Sequence, residues 1–440
     1  MEVKEKQDIR LIKKLRVKNF KSFKDVEVEL GNFNVVIGAN ASGKSNFVQI
    51  FKFLRDIVKE GLENAISYQG GIEYLRNILL GENEDLYLEV VVPTFCTIPC
   101  PEDEEGVRIL TIEGTSKYAL TMSFKNKKYD IQNESFTITG RFVFLKLGKK
   151  GKMEKNEYTQ GEIALIRDRE GKIKIKIEPE ELPIKSDDLI LSSFLNKPHP
   201  NLKGKVLLKA LLGVSKEGPR FQLLAHLLFI SFFSKLANIA IYDFDPKLPK
   251  RAIPIAGKSE LEEDGSNLAL VLKKILADKK NREQFLYLMR NLLPFINKMD
   301  VEKFADKSLL VKLQEAYYKE YLPATLISDG TINLTALILA LYFEKKPLVI
   351  IEEPERNIHP HLISKVVEMM KEASQNKQII LTTHNPEVVR YAGLENLLLI
   401  YRDREGFSHI SRPADKIEVK TFLEQEIGIE ELYVENLLTF

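Results

Sequence analysis

The chain has 440 residues, more than a single hydrophobic core usually organises, so two or more lobes are expected. Its hydrophobic fraction of 44% is ordinary for a globular protein in water, and 65 Lys and Arg against 63 Asp and Glu leave no overall charge that would point to nucleic acid. The two cysteines, Cys96 and Cys100, cannot close a tetrahedral zinc site within one chain. Their spacing suits incidental strand-end residues, with a local disulfide as the alternative. Met1–Arg10 is charged and carries no apolar leader, and Phe221–Tyr242, interrupted by Gln222, His226, Lys235 and Asn238, reads as a buried helix. A cytoplasmic protein with no membrane partner is expected.

In chain order, Leu11, Leu15, Val17, Phe20 and Phe23, then alternating Val26, Val28 and Leu30, predict two paired strands. The apolar run Phe33–Ile37 predicts a third. Asn46 to Ala65 has helical spacing and ends near Tyr68-Gln69-Gly70-Gly71. Leu86–Val92 and 109–177 hold alternating runs between charged or glycine turns, an antiparallel β layer whose Lys172, Lys174 and Lys176 share a solvent face. From Leu189 to Lys319 the spacing turns helical. Then the core pattern resumes at Thr325–Leu341 with a helix from Thr331 to Leu341, followed by Pro347–Ile351 as a strand, Pro360–Ser374 as a helix, Gln378–Thr382 as a strand, and another helix opening at Pro386. This alternation implies an α/β fold with a mostly parallel core sheet, an antiparallel β layer and an inserted helical lobe. The expected lobes are 1–180, 181–324 and 325–440.

Gly38 to Ser45 reads GANASGKS, the G-x-x-x-x-G-K-S phosphate loop, and follows the Phe33–Ile37 strand. Such a loop aims the unpaired N–H groups and positive dipole end of the next helix at phosphate. Gly38 and Gly43 let backbone approach the ligand, with Asn40, Ala41, Ser42 and Asn46 lining the turn. Lys44 brings a cation to the β and γ oxygens, and the Ser45 hydroxyl is a Mg²⁺ ligand. ATP and Mg²⁺ are the expected cofactors.

Further on, Leu348–Ile351 runs straight into Glu352-Glu353, so a buried strand ends in two carboxylates. Glu352 is assigned to the metal and Glu353 to the attacking water. The next strand ends in Thr382-Thr383-His384-Asn385-Pro386, and a histidine at the carboxyl end of a central strand can hydrogen-bond a γ-phosphate.

The order of phosphate loop, inserted lobe, Ser328-Asp329-Gly330-Thr331, Glu352-Glu353-Pro354-Glu355 and Thr382-Thr383-His384-Asn385-Pro386 resembles the ABC-type P-loop ATPases of the SMC, RecF and OLD group. It is most similar to their stand-alone prokaryotic AAA-type members. The resemblance covers the first eighty residues and Thr325 to about Leu399 specifically, and the middle only by position. It implies that Ser328 and Gly330 contact the γ-phosphate of ATP held by a second copy, giving an ATP-sandwich homodimer. Several residues depart from the group's pattern. Asp329 stands where many relatives have glycine, Glu352 replaces an aspartate, His359 replaces an aspartate, and Ala41 replaces a glycine, at little cost if its φ is negative. Gln69 is the candidate for the group's metal-sensing glutamine.

The resemblance implies an ATPase that closes head to head, coupled to DNA or to a separate nuclease subunit in genome maintenance or phage defence. The 54 residues after Asn385-Pro386 are too few for a fused nuclease domain of ~100 residues. Lys146, Lys149, Lys150, Lys152 and Lys155, with Lys172–Lys176, are the candidate DNA contacts, and a solvated lysine turn is the plainer reading. A transporter ATPase subunit and a slowly hydrolysing regulatory switch are the alternatives.

Overall fold

The computed structural model describes residues 9–103, 106–147, 153–179, 232–304, 307–424, 428–435 and 437–439. The chain runs through β1 (Lys14–Phe20), β2 (Phe23–Glu29), β3 (Phe33–Ile37), α1 (Lys44–Glu60), α2 (Leu62–Tyr68), α3 (Ile72–Leu75), β4 (Leu86–Asp103), β5 (Gly106–Lys125), β6 (Lys128–Leu147), β7 (Met153–Arg167) and β8 (Ile173–Glu178). Beyond the undescribed 180–231 come β9 (Ile239–Tyr242), β10 (Ile253–Pro254), α4 (Leu268–Ala277), α5 (Lys279–Leu292), β11 (Ile296–Phe304), β12 (Ser308–Glu315) and β13 (Leu322–Pro323). The last part holds α6 (Asp329–Ile338), β14 (Leu348–Glu352), α7 (Pro360–Ala373), β15 (Gln378–Thr382), α8 (Pro386–Ala392), β16 (Leu397–Arg402), β17 (Ser408–Ser411), α9 (Ile417–Glu424) and α10 (Ile429–Val434).

These elements form two compact units. The first comprises 1–30, 46–238 and 402–409, and the second 31–45, 239–401 and 410–440. The chain is thus divided differently from the expected lobes 1–180, 181–324 and 325–440. The reason lies in β3, which pairs in parallel with both β15 and β16, so the phosphate loop that follows it packs with strands more than 300 residues later.

In the first unit β1 and β2 form the expected antiparallel pair. Leu15 and Val17 are buried, while Lys14, Arg16 and Lys18 on the opposite face pair with Glu27 and Asp25 of the neighbouring strand. Period-two alternation thus puts apolar side chains inside and a cross-strand charge ladder in water. The helix expected from Asn46 to Ala65 is two helices. It begins at Lys44 and breaks at Gly61, whose φ of 88° an α-helix cannot contain. Beyond it, β4 to β8 pair antiparallel in sequence order, with β4 also pairing β1, the antiparallel layer read from alternation. Lys172, Lys174 and Lys176 are exposed as expected.

Cys96 and Cys100 both lie on β4, opposite Ile112 and Arg108. Cys96 is a free thiol, and burial pushes it up to about 11, with Lys235 and a backbone N–H opposing. Only the thiolate alkylates, so two units above the ordinary 9.0 leave it about a hundredfold scarcer near pH 8. In a Cys100→Ala background, iodoacetamide should label Cys96 about a hundredfold more slowly than glutathione; equal rates would contradict the buried setting.

The second unit is built on a parallel sheet in the order β16, β3, β15, β14, β9. All residues of β3, β15 and β9 are buried, as expected of strands covered on both faces. The segment read as helical from 189 to 319 is mixed where described. Helices α4 and α5 are present, but β9 extends the core sheet, and β10 to β13 form an antiparallel sheet of their own. The apolar segment Phe221–Tyr242, read as one helix, ends with residues 232–237 helical and then the strand β9. Four consecutive apolar residues, Ile239 to Tyr242, have no helical or strand period of their own; pairing with β14 decides their state. Among the described residues no helix is long and apolar enough to cross a membrane.

Candidate active site

The phosphate loop leaves β3 at its carboxyl end, where ligands of open parallel sheets bind. Gly38 is required by close approach. A Cβ there would collide with the Ile400 carbonyl oxygen and lie 2.7 Å from Ser42 Oγ. The loop is tightened by Ser42 N–H donating to the Ala39 carbonyl at 3.2 Å, while Asn40 and Ala41 are exposed at its tip. Ala41 has φ of 61°, so it stands in the left-handed region and the condition for a low cost is not met. A side chain there costs about 1–2 kcal/mol, which is why glycine is the better fit.

Lys44 Nζ donates to the carbonyls of Gly38 and Ala39 at 2.7 and 3.1 Å. Burial lowers its pKa, with Glu353 and Glu355 opposing. The Gly38 carbonyl also accepts from the hydroxyl of Tyr433 on α10, at 3.3 Å. Ser45 Oγ donates to Glu352 Oε2 at 3.2 Å, although the two residues are 307 apart in sequence. A hydroxyl and a carboxylate oxygen side by side fit Mg²⁺, which takes one or two protein oxygens and completes its octahedron with phosphate and water. The side chain of Glu352 thus reaches the first turn of α1 from the end of β14. Among the described residues no group of three or more His, Cys, Asp or Glu forms an all-protein metal cage.

Glu353 follows the strand with φ of 45°, a left-handed conformation that costs about 1 kcal/mol or more outside glycine. Its N–H donates to the Thr382 carbonyl at 2.9 Å, holding the two strand ends together. Both of its oxygens are engaged. Oε1 lies 3.0 Å from His384 Nδ1, and Oε2 accepts from Arg356 Nη2 and Nε at 3.0 and 3.3 Å. Burial disfavours its charge, but Arg356 and His384 outweigh that and hold the carboxyl below its usual range. Arg356 in turn donates through Nη1 to Asp243 Oδ1 at 3.0 Å, just past β9.

Behind this pair sits Glu355, only 7% exposed. Burial raises its pKa, with the Thr383 hydroxyl bond opposing. Thr383 donates to Glu355 Oε1 at 2.5 Å and accepts the Asn385 N–H at 2.9 Å, which fixes the turn carrying His384.

Ser328 caps α6, its hydroxyl accepting the Thr331 N–H at 3.1 Å. Asp329 pairs with Lys250, which neutralises the acid in the first turn of α6. Gly330 is needed within the chain itself, since a Cβ would lie 2.5 Å from the Asn357 carbonyl oxygen. Asn333, one turn on, is buried and donates to the carbonyls of Pro354 and Arg356 at 3.2 and 2.7 Å. His359 caps α7 and lies 2.7 Å from His361, nitrogen to nitrogen.

In the first unit, Asn46 donates its amide to Ser22 Oγ at 2.8 Å. Gln69 is buried beside α2 and donates to Gln49 at 3.2 Å. Sequence reasoning missed Asp243, Asn333, Arg356 and Tyr433. Only Arg356 had a local signal, its place three residues after Glu353, within side-chain reach in a tight turn.

The loop, the strand-end carboxylates and the histidine define a P-loop nucleotide hydrolase. Two family models match the chain. One, described as "AAA ATPase domain", matches residues 11–210, and the other, described as "AAA domain, putative AbiEii toxin, Type IV TA system", matches residues 214–390. With the motif order these matches support an AAA-type P-loop ATPase. No curated protein matches. Solved structures that match include a Smc head bound to the C-winged helix domain of ScpA, 15% identical over 91% of this chain and 97% of that one, with a TM-score of 0.44. Another is the SMC head domain from Thermotoga maritima, 14% identical over 92% and 98%, with a TM-score of 0.39. A third is a Smc head with an extended coiled coil bound to the C-terminal domain of ScpA, from Pyrococcus furiosus, 15% identical over 94% and 99%, with a TM-score of 0.43. At these scores the likeness is loose, and the identification rests on the family matches and the motifs.

Proposed function

We propose that the chain hydrolyses ATP with Mg²⁺ and closes head to head on a second copy, and that closure acts on DNA or on a separate nuclease in genome maintenance or phage defence. The observation that carries the hydrolytic part is Glu353, held at the end of β14 between His384 and Arg356 and beside the Ser45–Glu352 pair. Lys44 would exchange the loop carbonyls for the β and γ oxygens of the substrate. Ser45 and Glu352 would hold Mg²⁺, which supplies charge neutralisation across those oxygens. Glu353 would orient water and take its proton. His384 would face the γ-phosphate with Nε2, and with Nδ1–H on Glu353 it donates there only as imidazolium.

The dimeric part is supported by the mouth of α6. Ser328 is exposed, Asp329 is turned to Lys250, and Leu326 beside them is 68% exposed. A helix N-terminus without net charge suits a phosphate brought by another copy. Mixing equal amounts of Ser328→Arg and Lys44→Ala protomers, each inactive alone, should restore one composite site in the mixed dimers, about half the population, and so up to about a quarter of the wild-type activity. No recovery would argue against the sandwich.

The defence arm accords with a family description that names a toxin–antitoxin system. DNA contact has narrower support. Lys172, Lys174 and Lys176 face water, though Lys176 is paired with Glu178 at 2.7 Å. Lys149, Lys150 and Lys152, and the side chains of Lys146 and Lys155, lie outside the described residues. ATP hydrolysis measured with and without duplex DNA across salt concentrations tests this arm, because phosphate contacts weaken steeply with salt.

A further inference from the structure

Arg356 belongs to neither the phosphate loop nor the metal pair, yet its guanidinium has every edge committed. Nε and Nη2 both donate to Glu353 Oε2, at 3.3 and 3.0 Å, and Nη1 donates to Asp243 Oδ1 at 3.0 Å. The backbone beneath it is anchored separately, by buried Asn333 on α6 bonding the Arg356 and Pro354 carbonyls. Glu353 needs such support. It lies past the last residue of β14, at positive φ; its backbone is tied to the Thr382 carbonyl, but its carboxylate reaches beyond the strand and is held by Arg356 and His384.

A carboxylate side chain without such a partner would sample several rotamers, and a guanidinium fork restricts it to one. Asp243, at the end of the neighbouring strand β9, fixes the far side of that fork. Resting on the assignment of Glu353 to the attacking water, we propose that Arg356 is a positioning residue for hydrolysis, aimed by Asp243, which holds the Glu353 carboxylate in the orientation that receives water. Arg356 acts through Glu353 and is not a nucleotide ligand, so its loss should be felt in kcat and not in ATP affinity.

The test is a set of variants in the full chain, with kcat from phosphate release and ATP affinity from equilibrium binding of a fluorescent ATP analogue. Arg356→Ala should lower kcat about 10–100-fold, the scale of a misplaced catalytic group, with affinity within about twofold. Asp243→Asn should lower kcat less. The double variant should be no worse than Arg356→Ala alone, because Asp243 is argued to act only through the fork. Arg356→Lys, which keeps the charge but not the fork, should recover part of the rate. Unchanged or raised kcat in Arg356→Ala, equal losses in kcat and affinity, or additive losses in the double variant would each overturn the proposal. Glu353→Gln is measured alongside. If it hydrolyses normally, the assignment of Glu353 fails; if it is inactive while Arg356→Ala is normal, only the role of Arg356 fails.

Discussion

Glu353→Gln should leave ATP bound and lower its hydrolysis by about 10²–10⁴-fold, the usual contribution of a positioned general base. The substitution keeps the size of the side chain, and its amide oxygen can still accept from Arg356. What it loses is the capacity to take a proton. With hydrolysis stopped and nucleotide retained, the ATP-bound dimer should accumulate, visible as a doubled mass by light scattering only when ATP is present. Glu352→Gln should differ in kind. Its carboxylate lies against Ser45 Oγ, so its loss should weaken the response to Mg²⁺ concentration. If Glu352→Gln traps the dimer and Glu353→Gln does not, the two roles are exchanged.

Lys44→Ala should weaken nucleotide binding about a hundredfold or more, to no measurable binding at micromolar ATP. A charge-assisted hydrogen bond contributes about 1.5–3 kcal/mol, and the β and γ oxygens would lose the cation nearest to them. In the free chain the ammonium spends its hydrogen bonds on the Gly38 and Ala39 carbonyls. Truncation removes a ligand and also loosens the loop that presents the N–H groups. Ordinary ATP affinity in this variant, measured by titration calorimetry, would overturn the assignment of the phosphate loop.

The readable parts of the site were those encoded in contiguous residues. Gly38 to Ser45 follows β3 directly, and Glu352-Glu353 and His384 each terminate a short apolar run, so strand, turn and chemistry sit within one window of sequence. The conformational details were less legible. The sign of the Ala41 φ was left open by the residue and is positive, 61°, because the turn, not the residue, decides the backbone. Ile239–Tyr242 was read as helix because a short apolar run carries no period, and the choice fell to its parallel partner β14. Gln69 and Asn46 were named from their place in a motif, and their side chains are bonded to Gln49 and Ser22.

By itself the sequence determined that this chain holds a nucleoside triphosphate and carries the groups to hydrolyse it, because phosphate recognition is built from local backbone turns and strand ends. Only the tertiary structure decided what holds those groups in place. Asp243 reaches Arg356 across 113 residues, Ser45 meets Glu352 across 307, and Tyr433 reaches the Gly38 carbonyl across 395. Such bonds arise where parallel strands distant in sequence end side by side, and no spacing along the chain records them.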